Sequence, residues 1–117
     1  MFQIGEFKLH SGNVSRWKIE CDDLTDGDIE AVALMLSERL PKFRRGVIGV
    51  PLGGFRLAAA MDQYGSDDPG LPVLIVDDVL TTGRSMEECH LNGAIGAVIF
   101  ARGKCPNWVY PLFEMRR

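Results

Sequence analysis

Apolar residues recur along this chain in two kinds of pattern. Ile29, Val32, Ala33, Leu36 and Leu40 are three or four positions apart, which lays one face of a helix on a core. Asp26 or Asp28 is expected to cap its start and Pro41 to end it. Elsewhere the apolar residues come in short unbroken runs: 46–50 (GVIGV), 73–76 (VLIV) and 96–101 (GAVIFA). Runs of that length between turn residues predict strands buried on both faces. Helical spacing returns over 55–61 and over 84–91, the second helix ending near Asn92-Gly93. Residues 64–72 (YGSDDPGLP) read as a loop, 103–107 as a turn, and 108–113 as a last strand. Ahead of all this, residues 7–9 and 14–19 read as two short strands joined by a turn at Ser11-Gly12-Asn13. An acidic connector, 21–27, follows them.

The order from residue 26 is helix, strand, helix, strand, helix, strand, strand. Apolar strands alternating with helices predict an α/β domain with a mainly parallel sheet flanked by helices. A small N-terminal β-hairpin hood, residues 1–25, would sit beside that core of residues 26–117, all in one domain. Ligands of such sheets bind outside the carboxyl ends of the strands. Two strand ends here carry unusual loops, at 51–54 and at 77–85.

Composition narrows the picture. The chain has 117 residues, 46% of them hydrophobic and 25% charged, the make-up of one small globular domain. A net charge of −3 gives no electrostatic reason to expect nucleic acid or a membrane as partner. Cys21, Cys89 and Cys105 are odd in number and lack C-x-x-C spacing. Reduced thiols and a cytoplasmic location are therefore expected. The N-terminus has no signal-like apolar stretch, and no run approaches the length of a membrane span.

The chemistry concentrates after the 73–76 strand, where Asp77 and Asp78 stand side by side. Paired carboxylates can accept hydrogen bonds from two neighbouring sugar hydroxyls, or hold a divalent cation through water. Thr81, Thr82, Gly83, Arg84 and Ser85 then lead into a helix. Backbone N–H groups at such a start, with added hydroxyls, can take up an anion. A ligand with a phosphate beside a diol satisfies both parts, which describes a ribose phosphate. The plainer alternative is a strand end followed by an ordinary cap. No G-x-x-x-x-G-K-[ST] occurs, and no G-x-G-x-x-G follows a strand, which sets aside P-loop and dinucleotide folds. A phosphoacceptor receiver carries its aspartate pair near the start of the domain, not here. At the earlier strand end, Pro51, Leu52, Gly53 and Gly54 form a glycine turn, read either as structure alone or as a cradle for a second anion.

The segment VLIVDDVLTTGRS, residues 73–85, resembles the phosphoribosyl-pyrophosphate (PRPP) signature of type I phosphoribosyltransferases. The resemblance implies Asp77 and Asp78 at the ribose hydroxyls and residues 81–85 around the 5-phosphate. It also implies the 51–54 turn at the pyrophosphate and Mg²⁺ arriving with PRPP. IGEFKLHSGNVSRWKIE, residues 4–20, is similar to the N-terminal hairpin of orotate phosphoribosyltransferases. Arg102 then falls where those enzymes place an arginine for the orotate carboxylate region, and an arginine there suits an anionic planar base. A homodimer, usual in that family, is implied as well.

The chain also departs from the family pattern. His10 stands where the hairpin often carries a lysine near the pyrophosphate; it is either a protonated partner of that anion or a surface residue. Lys18 and Ile19 replace positions that are often aromatic and face the base. Between the two PRPP loops the family has a strand and a long basic mobile loop; here residues 61–72 are all that remain. Two functions are thus expected: transfer of phosphoribose to a pyrimidine-type base such as orotate, or binding of PRPP or a nucleotide by a reduced module without turnover.

Overall fold

The computed structural model describes residues 23–115. The hairpin expected over residues 7–19, with His10, Lys18 and Ile19, lies outside the described residues. Helix α1 (Asp26–Arg39) begins the described core. Its N-cap is Thr25 rather than either aspartate. Thr25 Oγ1 accepts the Asp28 N–H at 3.0 Å, and Asp28 Oδ2 accepts the Thr25 N–H at 3.0 Å. This reciprocal capping box places Asp26 and Asp28 inside the first turn, where carboxylates face the positive end of the helix dipole.

Strand β1 (Ile48–Gly49) is followed by helix α2 (Phe55–Met61) and a 3₁₀ turn, Asp62–Tyr64. Strand β2 (Leu74–Leu80) leads into helix α3 (Arg84–Cys89), shorter than its periodicity predicts. Strands β3 (Ile95–Arg102) and β4 (Val109–Met115) complete the order. The four strands form one sheet, β1-β2-β3-β4, with every neighbouring pair parallel. This is the α/β architecture that the apolar runs predict.

Two cores lie on the two faces of the sheet. On one, α1 and α2 bring Ile29, Val32, Leu36, Leu57 and Met61 against Leu74, Val76, Ala97 and Ile99. On the other, Met86 of α3 packs with Ile75, Leu80, Val98 and Val109. Burial of these side chains at about 25 cal/mol per Å² of apolar surface is the main force holding the layers together. Residues 103–108 return from the end of β3 to the start of β4 without a helix. Cys105 and Trp108 of this return pack against the second core. Trp108 stacks on His90 at 3.8 Å, and its Nε1–H donates to Glu87 at 3.0 Å, fixing the return to α3.

The alternation of faces breaks at one place in all three long strands. Strict alternation would set Val79 with Ile75, yet Val79 joins the core of Leu74 and Val76. Phe100 likewise shares that core with Ile99, and Phe113 packs against it beside Leu112. Val79, Phe100 and Phe113 are in register across the sheet, whereas the described pairings do not join Asp78 to Ile99 or Ile99 to Leu112. Side chains hold the backbone at this row. Asp77 Oδ1 accepts the Asp78 N–H at 2.8 Å, Asp78 Oδ1 accepts the Val79 N–H at 2.7 Å, and Arg39 donates to the Leu112 carbonyl at 2.9 Å.

Residues 61–72 do close the gap between α2 and β2, at the end of the sheet where strands begin. The Arg45 N–H donates to Ser66, the Ser66 N–H to Phe43, and the Arg44 N–H to Pro72, at 2.8 to 3.0 Å. Asp62 Oδ1 accepts the N–H groups of Gly46 and Val47 at 2.8 and 3.2 Å. No helix among the described residues is long and apolar enough to cross a membrane.

Candidate functional site

The candidate site lies at the opposite end of the sheet, where β1 and β2 finish. Asp77 and Asp78 do not terminate β2, as their polarity suggests. The strand continues through them to Leu80, and the two are only 5% and 3% exposed. A carboxylate is costly to bury without hydrogen-bond donors. The N–H groups of Asp78 and Val79 supply one each, so the strand partly solvates its own acids.

Beyond Leu80 the chain turns through Thr81 and Thr82 to Gly83, whose φ of +84° is the left-handed region glycine adopts freely. Thr82 Oγ1 accepts the Arg84 N–H at 3.2 Å. The N–H groups of Thr82 and Gly83 take part in no hydrogen bond among the described residues. Thr81, Thr82, Arg84 and Ser85 are exposed. With Asp77, Gly83 and Met86 they line a small open cleft.

The second loop meets the first in space. The turn after β1 runs through a cis Pro51–Leu52 peptide and is closed by the Gly54 N–H donating to Val50 at 2.8 Å. Among the described residues, the N–H groups of Leu52 and Gly53 likewise have no partner. A Cβ added at Gly53 would stand 2.7 Å from both Cγ and Oδ1 of Asp78. The turn therefore rests on the Asp78 carboxylate, and no larger residue fits without displacing it. Leu52 at the turn's tip is 79% exposed.

Arg102 is the last residue of β3, exposed, at the same end of the sheet. The structure thus brings together Pro51, Leu52, Gly53 and Gly54 with Asp77, Asp78 and the 81–85 loop, and it puts Arg102 on their side. Among the described residues no group of three or more His, Cys, Asp or Glu could hold a metal. Cys105 is no nucleophile at neutral pH: burial, and secondarily Glu114, pushes its thiol up to about 11. Sequence reading missed the seat of Gly53 on Asp78. The only signal for it was the pair of glycines at a strand end.

Compared with known proteins, the chain matches no family model, and no curated protein matches it.

Proposed function

We propose that the chain binds Mg²⁺-PRPP at this end of the sheet and transfers its phosphoribosyl group to a pyrimidine-type base such as orotate, releasing pyrophosphate. One observation carries the reading: two buried carboxylates lie between two strand-end loops in which the N–H groups of Leu52, Gly53, Thr82 and Gly83 have no partner among the described residues. A phosphate fits the 81–85 loop through N–H and hydroxyl donors, and the ribose diol fits beside it at the acidic end of β2. Pyrophosphate then reaches the 51–54 turn. Two carboxylates plus phosphate oxygens match the way Mg²⁺ is usually held, on few protein ligands and with its own waters. Bound there, the ion would neutralise charge on the leaving pyrophosphate.

The chain's task in such a transfer is positioning and electrostatics. The bond from the anomeric carbon to pyrophosphate breaks with its electron pair leaving on oxygen, and a ring nitrogen of the base forms the new bond while its proton passes to the departing pyrophosphate. Asp77, in the cleft, holds the sugar, and the negative charge of the pair favours the positive charge that develops on it. Arg102, the last residue of β3, would meet the anionic base. The wild-type chain would pair as a homodimer.

A second reading is favoured by the position of residues 61–72. In a transferase a basic lid excludes water and steadies the departing charge. Here the connector is tied to residues 43–47 at the far end of the sheet. Binding of PRPP or a nucleotide without turnover, as a module or subunit, fits that arrangement.

Titration calorimetry with Mg²⁺-PRPP tests what the two readings share, and an assay of nucleotide formation from PRPP and orotate separates them. Binding with product supports the transferase. Binding without product, for any of several bases, supports the module. No binding at millimolar PRPP removes both. The double variant Asp77→Asn/Asp78→Asn should weaken PRPP at least about tenfold, because the pair's negative charge beside the sugar and the turn is lost.

A further inference from the structure

Asp77 and Asp78 are neighbours in sequence, but their surroundings differ. Asp77 lines the cleft with Thr81, Thr82, Gly83 and Ser85, and Asp78 is not among the lining residues. The Asp78 carboxylate fills the space where a side chain at Gly53, just before α2, would stand. One Cα–H of Gly53 therefore points towards that carboxylate. The carboxylate is itself anchored, since Asp78 Oδ1 accepts the Val79 N–H at 2.7 Å. The turn therefore sits on a group fixed to the strand.

We propose that the pair divides its work: Asp77 is the carboxylate that meets the ligand in the cleft, and Asp78 is a positioning residue that seats the 51–54 turn through Gly53. The ligand named here rests on the phosphoribosyl reading; the division itself rests on the geometry. Asp78 acts on the turn's Leu52 and Gly53 N–H groups, and so on the pyrophosphate side. Asp77 acts on the sugar-phosphate side.

Ribose 5-phosphate and Mg²⁺-pyrophosphate report the two sides separately, and the full chain is used throughout. Asp77→Asn should weaken ribose 5-phosphate about tenfold, the loss of one charged acceptor. Asp78→Asn should keep ribose 5-phosphate within about twofold of wild type and weaken Mg²⁺-pyrophosphate. This variant retains an oxygen for the Val79 N–H and so serves where Asp78→Ala does not fold. The backbone amide spectrum of the ligand-free protein reads the seat directly. Asp78→Asn should shift Leu52, Gly53 and Gly54 and leave Thr82 and Gly83 in place; Asp77→Asn should do the reverse. The division is overturned if Asp78→Asn weakens ribose 5-phosphate as much as Asp77→Asn does. It is also overturned if the amide shifts of Asp78→Asn fall on Thr82 and Gly83 instead of the turn. If the wild-type chain binds no ribose 5-phosphate, the phosphoribosyl reading falls, and the amide shifts alone still decide which aspartate seats the turn.

Discussion

The two ends of the sheet both carry glycine-containing loops, and they handle their backbone groups differently. Where the strands begin, Arg44, Arg45, Gly46, Val47 and Ser66 each donate an N–H to an acceptor in the chain. Where β1 and β2 finish, the N–H groups of Leu52, Gly53, Thr82 and Gly83 have no such acceptor among the described residues. Carboxylates show the same contrast. Asp62, on the closed end, ties two backbone donors together in a largely open setting. Asp77 and Asp78, on the other end, are buried beside these two loops. Backbone donors are normally satisfied within a fold or by water. Among the described residues, the end where β1 and β2 finish leaves four such donors beside two buried acids, the groups that the proposed anionic ligand would use.

The largest effect that would break this contrast is expected at Gly53. In Gly53→Ala the new Cβ meets Asp78 at 2.7 Å, so either the turn or the carboxylate must move. Overpacking of this kind costs about 1–3 kcal/mol. Chemical denaturation should show that loss, and calorimetry should show weaker Mg²⁺-PRPP binding. A Gly53→Ala variant of wild-type stability and affinity would mean that the turn does not rest on Asp78.

Much of this fold is written in short-range patterns. The apolar runs at 73–76 and 96–101 and the spacing of Ile29, Val32 and Leu36 predict β2, β3 and α1, because burial selects those periods directly. Boundaries fail where a polar side chain satisfies backbone locally. Asp77 and Asp78 look like a strand end, yet β2 runs on to Leu80 because each takes up a neighbouring N–H. Five residues at 46–50 suggest a full strand, but only Ile48 and Gly49 join the ladder; Asp62 holds the two N–H groups just before them. Thr25 rather than an aspartate caps α1, since the box needs a hydroxyl three residues before an acid. The loops of the candidate site are legible as loops. That Gly53 lands on Asp78 is a long-range packing fact, and no local pattern encodes it.

Asp62 sharpens the contrast from the closed end. Its N–H donors, Gly46 first and Val47 second, hold its carboxyl below the ordinary value of 3.8, against a slight rise from burial. A carboxylate with a lowered folded-state pKa contributes stability that is present above the unfolded value and lost as pH falls through the folded one. Asp62→Ala should therefore cost about 1 kcal/mol at neutral pH, discounted because one of its two bonds is open to solvent. The difference from wild type should shrink as the solution is acidified below that range. Ligand affinity should stay at the wild-type level, because Asp62 is at the far end of the sheet. Loss of PRPP binding in Asp62→Ala with full stability would show that the two ends are coupled.

The smallest effect is expected at Arg45. Its guanidinium lies 3.2 Å from Asp67, but the two side chains are 57% and 84% exposed. Solvent screening and the entropy of holding two mobile side chains leave such a pair worth under about 0.5 kcal/mol. The backbone bonds between residues 43–45 and residues 66 and 72 remain when the Arg45 side chain is removed. Arg45→Ala should thus leave the denaturation midpoint almost unchanged, with a slightly weaker dependence on salt. This separates two ways of closing the connector. If backbone hydrogen bonds and Asp62 hold it, Arg45→Ala is nearly silent while Asp62→Ala is not. A loss at Arg45→Ala larger than that at Asp62→Ala would mean that charge pairing rather than satisfied backbone closes this end. The distinction between the two ends would then have to be drawn in electrostatic terms.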